Sequence, residues 1–308
     1  MPDCDGEKRL QVGGQAVIEG VMMRSPAGIA TAVRTQGGRI VVKTEPFVSL
    51  TRRNRFFGLP VIRGAVALVE TFIVALKALA FSADESISEE SDDSGGEKKG
   101  GGVTWQMALS MVGAVVLGMT LFFYVPLLLT ELLGIENGIL FNLVDGMFRL
   151  AIIFIYIWAI TRWKEMQRIF EYHGAEHKAI FTFEEGVEVT PVNAIGHPRL
   201  HPRCSTSFLL IVVLVSVVVF TFTGRPDSVA ERFFRLAMIP LIGGLSYEIL
   251  KASARPAFRK YFGFIYWPGM MMQKFTTREP SLDQIEVAIA ALNASLSDNL
   301  LESRQFLD

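Results

Sequence analysis

The feature that most constrains the fold is a long run of uncharged, mostly apolar residues. From Val103 to Thr130 the sequence has no charged side chain, and Trp105 and Tyr124 lie towards the two ends of this run. About 20 consecutive apolar residues are enough for an α-helix to cross the hydrocarbon core of a bilayer. Tryptophan and tyrosine concentrate at the two membrane interfaces. The run therefore predicts a membrane-spanning helix, and a hydrophobic content of 50% agrees with a membrane protein.

Three later segments also predict membrane spans, namely residues 138–160, 208–223 and 234–250. In the first of them Asp145 and Arg149 are one helical turn apart, so their side chains can form an ion pair. The last segment contains proline and a glycine pair and is therefore expected to be short, bent or broken.

Residues 58–82 predict a helix of a different kind. Its only charged residues are Arg63, Glu70 and Lys77, and their spacing of seven places them in one stripe. Such a helix either lies in the membrane interface or packs its stripe inside a bundle. We expect that it does not cross the bilayer, or that it re-enters it.

The basic residues beside the spans indicate which ends face the cytoplasm. Residues 134–137 contain no basic residue. The segment between the second and third spans contains six, namely Arg162, Lys164, Arg168, Lys178, Arg199 and Arg203. Because basic residues concentrate on the cytoplasmic side, this segment and both termini are expected to be cytoplasmic. Three arginines in the connection 224–235 run against this orientation. The predicted location is the bacterial cytoplasmic (inner) membrane.

The fold class that follows is a mainly α-helical polytopic membrane protein with about four transmembrane helices plus one re-entrant or interfacial helix. A small α+β cytoplasmic part includes an N-terminal β-hairpin, because β-branched runs flank a Gln-Gly-Gly turn. A disordered leader is the alternative for this region. We divide the chain into a cytoplasmic β-rich region (1–57), an amphipathic or re-entrant helix (58–82), a disordered acidic linker (83–102), a transmembrane hairpin (103–161), a cytoplasmic histidine-rich segment (162–207), a second transmembrane hairpin (208–251) and a cytoplasmic tail with an amphipathic helix (252–308).

The candidate chemistry lies in the histidine-rich segment. All four histidines of the chain fall between residues 173 and 201, and Cys204 follows three residues later. His173 and His177 are spaced i, i+4, so a helix places both imidazoles on one face with Glu176 beside them. The order His-x-x-Glu-His is that of a metalloprotease signature in which the histidines bind zinc and the glutamate is the general base. A helix of surface histidines is the alternative.

A second part of the segment strengthens the prediction of a metal site. The string HPRLHPRC contains prolines and cannot be a regular helix, so it can fold back and offer His201 and Cys204 to the same ion. Mixed nitrogen and sulfur ligands favour zinc among divalent metals. His197 either duplicates His201 or faces solvent. The predicted metal ligands are thus His173, His177, His201 and Cys204.

Five strings of the sequence resemble the YqhQ-like family, a bacterial group of uncharacterised membrane proteins predicted to be metal-dependent. The strings are GGQAVIEGVMMR, YHGAEHK, LHPRC, LSYEILK and FTTREP, and the resemblance runs from about Gly13 to about Leu292. It implies a metal-dependent enzyme but supplies no reaction. One departure is Ser205, where the family usually has glycine, and this difference affects the turn beside Cys204 rather than the ligands.

By this resemblance the four metal ligands map onto motif positions, and several other residues lie in motif strings without a role. Gln15 and Glu19 are four residues apart and can project a polar face towards the histidines, although Glu19 can equally be a solvated carboxylate. Glu248 is a candidate because ionisable groups in membrane helices tend to be functional, with a snorkelling side chain as the alternative. For Arg278 and Glu279 a local ion pair or a helix-entry turn is expected.

Two main hypotheses for the function follow. The first is a membrane-bound, metal-dependent hydrolase in which Glu176 or Glu19 takes a proton from the attacking water. Its substrate is a peptide bond of a membrane protein or a lipid-linked ester or phosphate. The second is a non-catalytic scaffold or membrane-protein assembly factor with a structural zinc site. A transporter ranks last because no internal repeats are visible.

The partner expected from the sequence is the lipid bilayer. No nucleic acid is expected, because 30 basic residues balance 31 acidic ones. The oligomeric state does not follow from these patterns.

Overall fold

The computed structural model describes residues 12–87, 105–201, 204, 206–253 and 266–297. An antiparallel sheet begins it, formed by strands β1 (Gly13–Val17), β2 (Gly20–Arg24), β3 (Gly28–Arg34) and β4 (Ile40–Pro46) in the order β1-β2-β3-β4. The expected hairpin is confirmed as β3 and β4. The glycine-rich string before it is also β-structure, so the region is a four-stranded sheet rather than a hairpin alone.

The sheet has side chains packed on both of its faces. Residues of β2 alternate between the two faces, as the two-residue period of a strand requires. Val21 and Met23 belong to one buried cluster and Met22 to another. The first cluster is shared with α6 (Lys164–Glu185) and with α12 (Leu282–Ser295), and the second with α2 (Ile62–Ile87). The sheet is therefore the middle layer between α2 and the pair α6 and α12.

Helix α12 begins where the sequence indicates. Ser281 is its N-cap, and Ser281 and Gln284 form a reciprocal capping box. Such a box satisfies backbone N–H groups that have no partner within the helix. Its side chains Ile285, Ala288 and Leu292 are fully buried. The amphipathic helix predicted for the C-terminal tail is thus a core element, whereas residues 254–265 and 298–308 of that tail lie outside the described residues.

Five helical segments in the described part of the chain are long and apolar enough to cross a membrane. The sequence predicts four membrane spans and one helix of another kind. Residues 62–86 of α2 are also long and apolar enough to cross, so the number of candidate spans is five rather than four. The others are α3 (Trp105–Met119) continuing through a π-helical turn (Thr120–Tyr124) into α4 (Val125–Leu132), α5 (Gly138–Ile160), α8 (Thr206–Thr223), and α9 (Val229–Ala237) with α10 (Ile239–Ser253). Two shorter helices of the described part are α7 (Pro191–Ile195) and α11 (Tyr266–Thr276).

Several details of these helices differ from the sequence-based expectation or sharpen it. Residues 83–87 of the expected linker are helical and extend α2, while its residues 88–102 lie outside the described part. The last span is broken at Met238, between α9 and α10, which confirms the expected break beside Pro240. Asp145 and Arg149 form the expected ion pair, with Arg149 Nε donating to Asp145 Oδ2 over 2.9 Å.

Helix α2 has both of its flanks near the sheet. Phe47, which precedes the short helix α1 (Leu50–Arg53), packs in the same cluster as Ala78 and Phe81 near the C-terminal end of α2. Between these points the chain leaves the sheet and then comes back to it. The two arms lie side by side, since the Glu70 carboxylate of α2 accepts hydrogen bonds from the Ser49 hydroxyl and the Leu50 backbone N–H. Segment 47–81 is therefore a hairpin whose turn is distant from the sheet.

The far end of this hairpin contacts α10 through glycines. A Cβ added to Gly244 would overlap the carbonyl oxygen of Val61, and one added to Gly64 would lie 2.8 Å from the carbonyl oxygen of Gly244. Small residues allow such close approach of two helix backbones. Beside this contact the Arg63 guanidinium binds the Glu248 carboxylate through two hydrogen bonds. Glu248 therefore joins α10 to α2.

This contact predicts the effect of filling the glycine position. Gly244→Leu should lower the free energy of unfolding by about 2 kcal/mol or more, because the side chain would force the two backbones apart. The measurement is the thermal unfolding midpoint of the detergent-solubilised protein. Gly113→Leu is the matched control, since an added Cβ at Gly113 of α3 meets nothing within 4 Å. Equal midpoints for both variants would contradict the predicted packing.

Candidate metal centre

Helix α6 brings two of the predicted ligands together on one face. The ring centroids of His173 and His177 are 4.5 Å apart, as expected for an i, i+4 pair. Cys204, just before α8, places its Sγ 3.3 Å from His173 Nε2. The ligand atoms of His173, His177 and Cys204 all lie within 4.8 Å of one another. Two ligands of one tetrahedral zinc ion are about 3.5 Å apart, so a small inward shift suffices to bind it.

Backbone carbonyl groups orient both imidazoles towards this point. His173 Nδ1 lies 2.8 Å from the carbonyl oxygen of Thr276, and His177 Nδ1 lies 2.5 Å from that of Arg199. Because a carbonyl oxygen only accepts hydrogen bonds, Nδ1 of each ring carries the proton and Nε2 keeps its lone pair. Metal-binding histidines in proteins are held in this way. The two rings are therefore prepared as Nε2 ligands.

The third ligand atom also has polar neighbours. Cys204 Sγ lies 3.1 Å from Thr206 Oγ1 and accepts a hydrogen bond from the Thr206 backbone N–H over 3.5 Å. Thr206 is the first residue of α8, so these polar groups lie at the N-terminus of that helix. A thiolate is the form of cysteine that binds metals.

Burial keeps the second histidine in its ligand form. His177 is 2% exposed, and burial is the main cause that lowers its pKa. An imidazole must be neutral to bind a metal, and a lowered pKa preserves the neutral form at physiological pH. Burial, charge state and ring orientation thus all favour coordination at His177.

The three ligand atoms border a cavity of about 330 Å³ that also contains Glu176. β1 forms the opposite wall, where Gly14 and Gln15 line the cavity. The Gly14 backbone N–H donates a hydrogen bond to the Glu176 carboxylate, and a Cβ at Gly14 would lie 3.1 Å from Glu176 Cδ. Glycine therefore allows the strand backbone to reach the carboxylate.

Glu176 is buried in this cavity with one oxygen unsatisfied. Its Oε2 has no hydrogen-bond partner among the residues that the structure describes, and burial raises the pKa of the carboxyl group. Burying a carboxylate is unfavourable unless a cation or hydrogen-bond donors compensate it. A cation at the neighbouring ligand atoms supplies such compensation, so the residues present fit a bound metal.

His201 lines the same cavity but lies outside the group of three ligand atoms. Its backbone is held by Gln273, whose side chain accepts from the His201 N–H and donates to the His201 carbonyl oxygen over 2.8 and 2.9 Å. The ring packs edge-on against Phe181, and Nε2 is 3.5 Å from Glu184 Oε2. Burial lowers the pKa of His201 to about 4, so the ring is neutral at physiological pH.

The structure places the other predicted catalytic residue, Glu19, away from the cavity. Glu19 is in the two-residue turn between β1 and β2, with a positive φ of 52°. The Arg168 guanidinium binds its carboxylate through two hydrogen bonds, and the Tyr172 hydroxyl lies 3.3 Å from it. Glu19 is not among the residues that line the cavity, whereas Gln15 of the same string is. Strand periodicity alone would place Gln15 and Glu19 on one face, but the turn after β1 directs Glu19 away from the cavity.

Comparison with known proteins identifies the family. The family described as "Protein of unknown function (DUF1385)" matches residues 59–298. The chain belongs to this family. It is also 30% identical over 295 residues to the "Uncharacterized protein YqhQ" of Bacillus subtilis (strain 168), a match that covers 92% of each chain. No solved structure matches the chain. The resemblance to YqhQ-like proteins is therefore confirmed.

The structure gives a role to FTTREP, one of the five strings that resemble the family. In FTTREP, Thr276 supplies the carbonyl group that orients His173, and the Arg278 backbone N–H donates to the Phe170 carbonyl of α6 over 2.9 Å. This approach requires Gly174, because an added Cβ there would overlap the Arg278 carbonyl oxygen. The glycine inside YHGAEHK is the sequence signal for this contact.

The expected local ion pair between Arg278 and Glu279 does not form. Arg278 Nη1 donates to Gln167 Oε1 over 2.9 Å, and Glu279 Oε1 lies 2.6 Å from Lys178 Nζ. Each side chain instead binds a residue of α6, because the segment runs alongside that helix and their side chains diverge. The helix-entry turn, the other expectation for these residues, agrees with the cap at Ser281.

The glycine contact predicts that metal affinity can be weakened without touching a ligand. Gly174→Ala should push the FTTREP segment off α6 and withdraw the carbonyl partner of His173, which should lower zinc affinity about tenfold or more. Zinc affinity is measured by competition with a chromogenic chelator. Gly196→Ala is the control, since an added Cβ there is 3.7 Å from its nearest neighbour, an ordinary contact. Unchanged affinity in Gly174→Ala would contradict this role.

Proposed function

We propose that the protein is a membrane-bound, metal-dependent hydrolase with a zinc site at the cytoplasmic membrane surface. The observation that carries the proposal is the convergence of three ligand atoms beside a buried, incompletely hydrogen-bonded carboxylate, in a cavity of about 330 Å³. Structural zinc sites use four protein ligands, whereas catalytic sites use three and keep one position open. The described residues supply three.

His173, His177 and Cys204 would hold the ion. Two imidazole nitrogens and one thiolate sulfur are ligands that zinc accepts readily, and some catalytic zinc sites also combine histidine with cysteine. A zinc ion bound there would act as a Lewis acid and favour deprotonation of water at neutral pH. The cavity between α6 and β1 provides the space for water and for the scissile group of a substrate.

Glu176 is assigned the role of general base. It lies on the same helix as both histidines and lines the same cavity. Its raised pKa brings the carboxyl group closer to neutral pH, where a base can both accept a proton from water and return it to a leaving group. Glu19 is the weaker candidate, because Arg168 and Tyr172 occupy its carboxylate.

Counting the crossings supports the proposed membrane placement. β1 packs on α6, so residues 13–46 and 164–185 lie on one side of a bilayer, and an even number of crossings must separate them. Three apolar segments lie between them, so one of the three does not cross. Helix α2 is that one, because both flanks of its hairpin contact the sheet. This supports the prediction of a re-entrant helix and four crossings.

The arginines that run against this orientation have local partners. Arg232 binds Glu131 over 2.8 Å, and Arg225 binds Asp227 over 3.2 Å. Arg235 is buried and donates to Asn142 Oδ1 and to the Gly224 carbonyl oxygen. These partners explain why the three arginines occur at the far end of the bundle, and the larger number of basic residues in segment 162–207 favours the cytoplasmic side for α6.

A non-catalytic scaffold with a structural zinc ion is the second candidate. The observation that favours it is that the ligands join α6 to the start of α8, since Cys204 is 31 residues away from His173. An ion at this point would pin the loop to the helix. This role requires a fourth protein ligand, and His201, which lines the same cavity, is the residue able to provide it.

Metal analysis of purified variants tests the site. His173→Ala and Cys204→Ala should each lose most of the bound zinc, because each removes one of three converging ligands. His201→Ala should retain it. Zinc content per chain is measured by inductively coupled plasma mass spectrometry, with His197→Ala as the control, since His197 does not line the cavity. A full zinc load in both His173→Ala and Cys204→Ala would overturn the proposed site.

The same samples separate catalyst from scaffold. Wild-type protein should hydrolyse at least one probe from a panel of fluorogenic peptide, ester and phosphate substrates, and a chelator should abolish this activity. Glu176→Gln should keep its zinc and lose at least about a hundredfold in rate, as expected for removal of a general base. Zinc loss in His201→Ala, together with no activity of the wild type on any probe, would support the scaffold instead.

Membrane topology is tested by the accessibility of single cysteines introduced into a variant without Cys4 and Cys204. Arg39→Cys, in the turn between β3 and β4, and Glu188→Cys, after α6, should react with a membrane-impermeant maleimide only after the inner membrane is opened. Glu136→Cys, between α4 and α5, should react in intact spheroplasts. The physical reason is that four crossings leave the sheet and α6 on the cytoplasmic side. Labelling of Arg39→Cys and Glu188→Cys from opposite sides would contradict a re-entrant α2.

A further inference from the structure

A second cavity, of about 420 Å³, lies behind the candidate metal centre. Residues from the end of α5, from the loop before Cys204 and from the end of α11 (Tyr266–Thr276) with the segment after it line this cavity. Three of them are cationic: Arg199, Lys274 and Arg278. Arg199 is also the residue whose carbonyl group orients His177. The basic cavity is therefore next to the metal centre but does not share its ligands.

The positive charge of the basic cavity is not neutralised by the residues around it. Among the described residues, no acidic side chain pairs with Arg199 or Lys274, and Arg278 donates to the neutral amide of Gln167. Glu279 is the one acidic residue in the lining, and its carboxylate binds Lys178 instead. Three cations that share one cavity repel one another unless an anion lies between them. The cavity is thus electrostatically complementary to an anion.

The position of the cavity indicates where that anion comes from. Thr161, which ends α5, is part of the lining, so the cavity lies level with the end of a membrane-crossing helix. Three exposed aromatic side chains surround this level: Trp158, Trp163 and Phe275. The Arg162 guanidinium stacks over the Trp158 ring at 4.5 Å. Exposed aromatic residues with neighbouring arginines mark the headgroup layer of a bilayer.

From charge and depth together we propose that the basic cavity binds the phosphate group of an anionic phospholipid from the cytoplasmic leaflet. Arginine recognises phosphate through paired N–H donors, and lysine adds a point charge. The headgroup layer supplies phosphate at the height of the cavity, and clusters of basic residues there bind anionic lipids. The proposal rests on the membrane placement proposed above and is independent of the zinc ion and of hydrolysis.

Lipid titration of the intact, detergent-solubilised protein tests this site. Dioctanoyl phosphatidylglycerol is added to delipidated protein, and binding is followed by native mass spectrometry and by the thermal unfolding midpoint. The double variant Arg199→Gln, Lys274→Gln should bind this lipid at least tenfold more weakly than wild type. The matched control is Arg52→Gln, Arg53→Gln, which removes two exposed cations from α1 and should bind within twofold of wild type.

Three outcomes would overturn the proposal. The first is equal affinity of the wild type and the double variant for the lipid. The second is a midpoint shift with inorganic phosphate alone as large as that with the lipid, which would assign the cavity to a soluble phosphate. The third is tighter binding of an acidic peptide that displaces the lipid, which would assign it to a protein partner. Dioctanoyl phosphatidylcholine is the zwitterionic control and should shift the midpoint less than the anionic lipid.

Zinc content is measured on the same samples so that the two proposals can fail separately. A double variant that keeps its zinc and loses the lipid supports the basic cavity as an independent site. If the purified wild-type protein contains no zinc and still binds the lipid, the result supports the basic cavity and contradicts only the proposed hydrolase.

Discussion

The packing of the N-terminal sheet against α6 is the contact on which the rest of the structure depends. It brings Gly14 and Gln15 to the cavity where Glu176, His173 and His177 lie, and so builds one wall of the candidate site from residues far away in sequence. In the proposed membrane placement it also requires the sheet and α6 to lie on the same side of the bilayer, which restricts the number of crossings between them. One interface thus determines both the shape of the site and the path of the chain, because β1 cannot leave α6 without opening the cavity and exposing the Glu176 carboxylate.

Backbone carbonyl groups from outside α6 orient the two histidines of the candidate metal centre. The carbonyl groups of Arg199 and Thr276 fix the Nδ1 protons of the two histidines, and the close contact at Gly174 fixes Thr276 in turn. The strings YHGAEHK and FTTREP are therefore in direct contact at the candidate site. The basic cavity lies behind the same carbonyl groups, so a lipid phosphate bound there would lie next to the supports of the metal centre.

Charged residues within the apolar helices form ion pairs and hydrogen bonds that join neighbouring segments. Arg149 pairs with Asp145 within α5, Arg63 joins Glu248 across the contact of α2 and α10, and Glu70 binds the segment before α2. Buried charges in an apolar environment require such partners. These pairs give the ionisable residues of the apolar helices a structural role, and the candidate chemistry lies outside those helices, at α6 and Cys204.

The sequence by itself determined the class of the fold and the candidate ligands, because both depend on local patterns. Apolar runs predict helices wherever they occur, and i, i+4 spacing fixes which side chains share a helical face. The sequence also indicated the break near Pro240 and the cap at Ser281. Only the tertiary structure decided that the α2 segment is a hairpin, that Gln15 rather than Glu19 reaches the cavity, and that Cys204 meets His173 while His201 turns towards Glu184. These facts depend on contacts between distant segments and on turn geometry, and neither leaves a periodic signal in the chain.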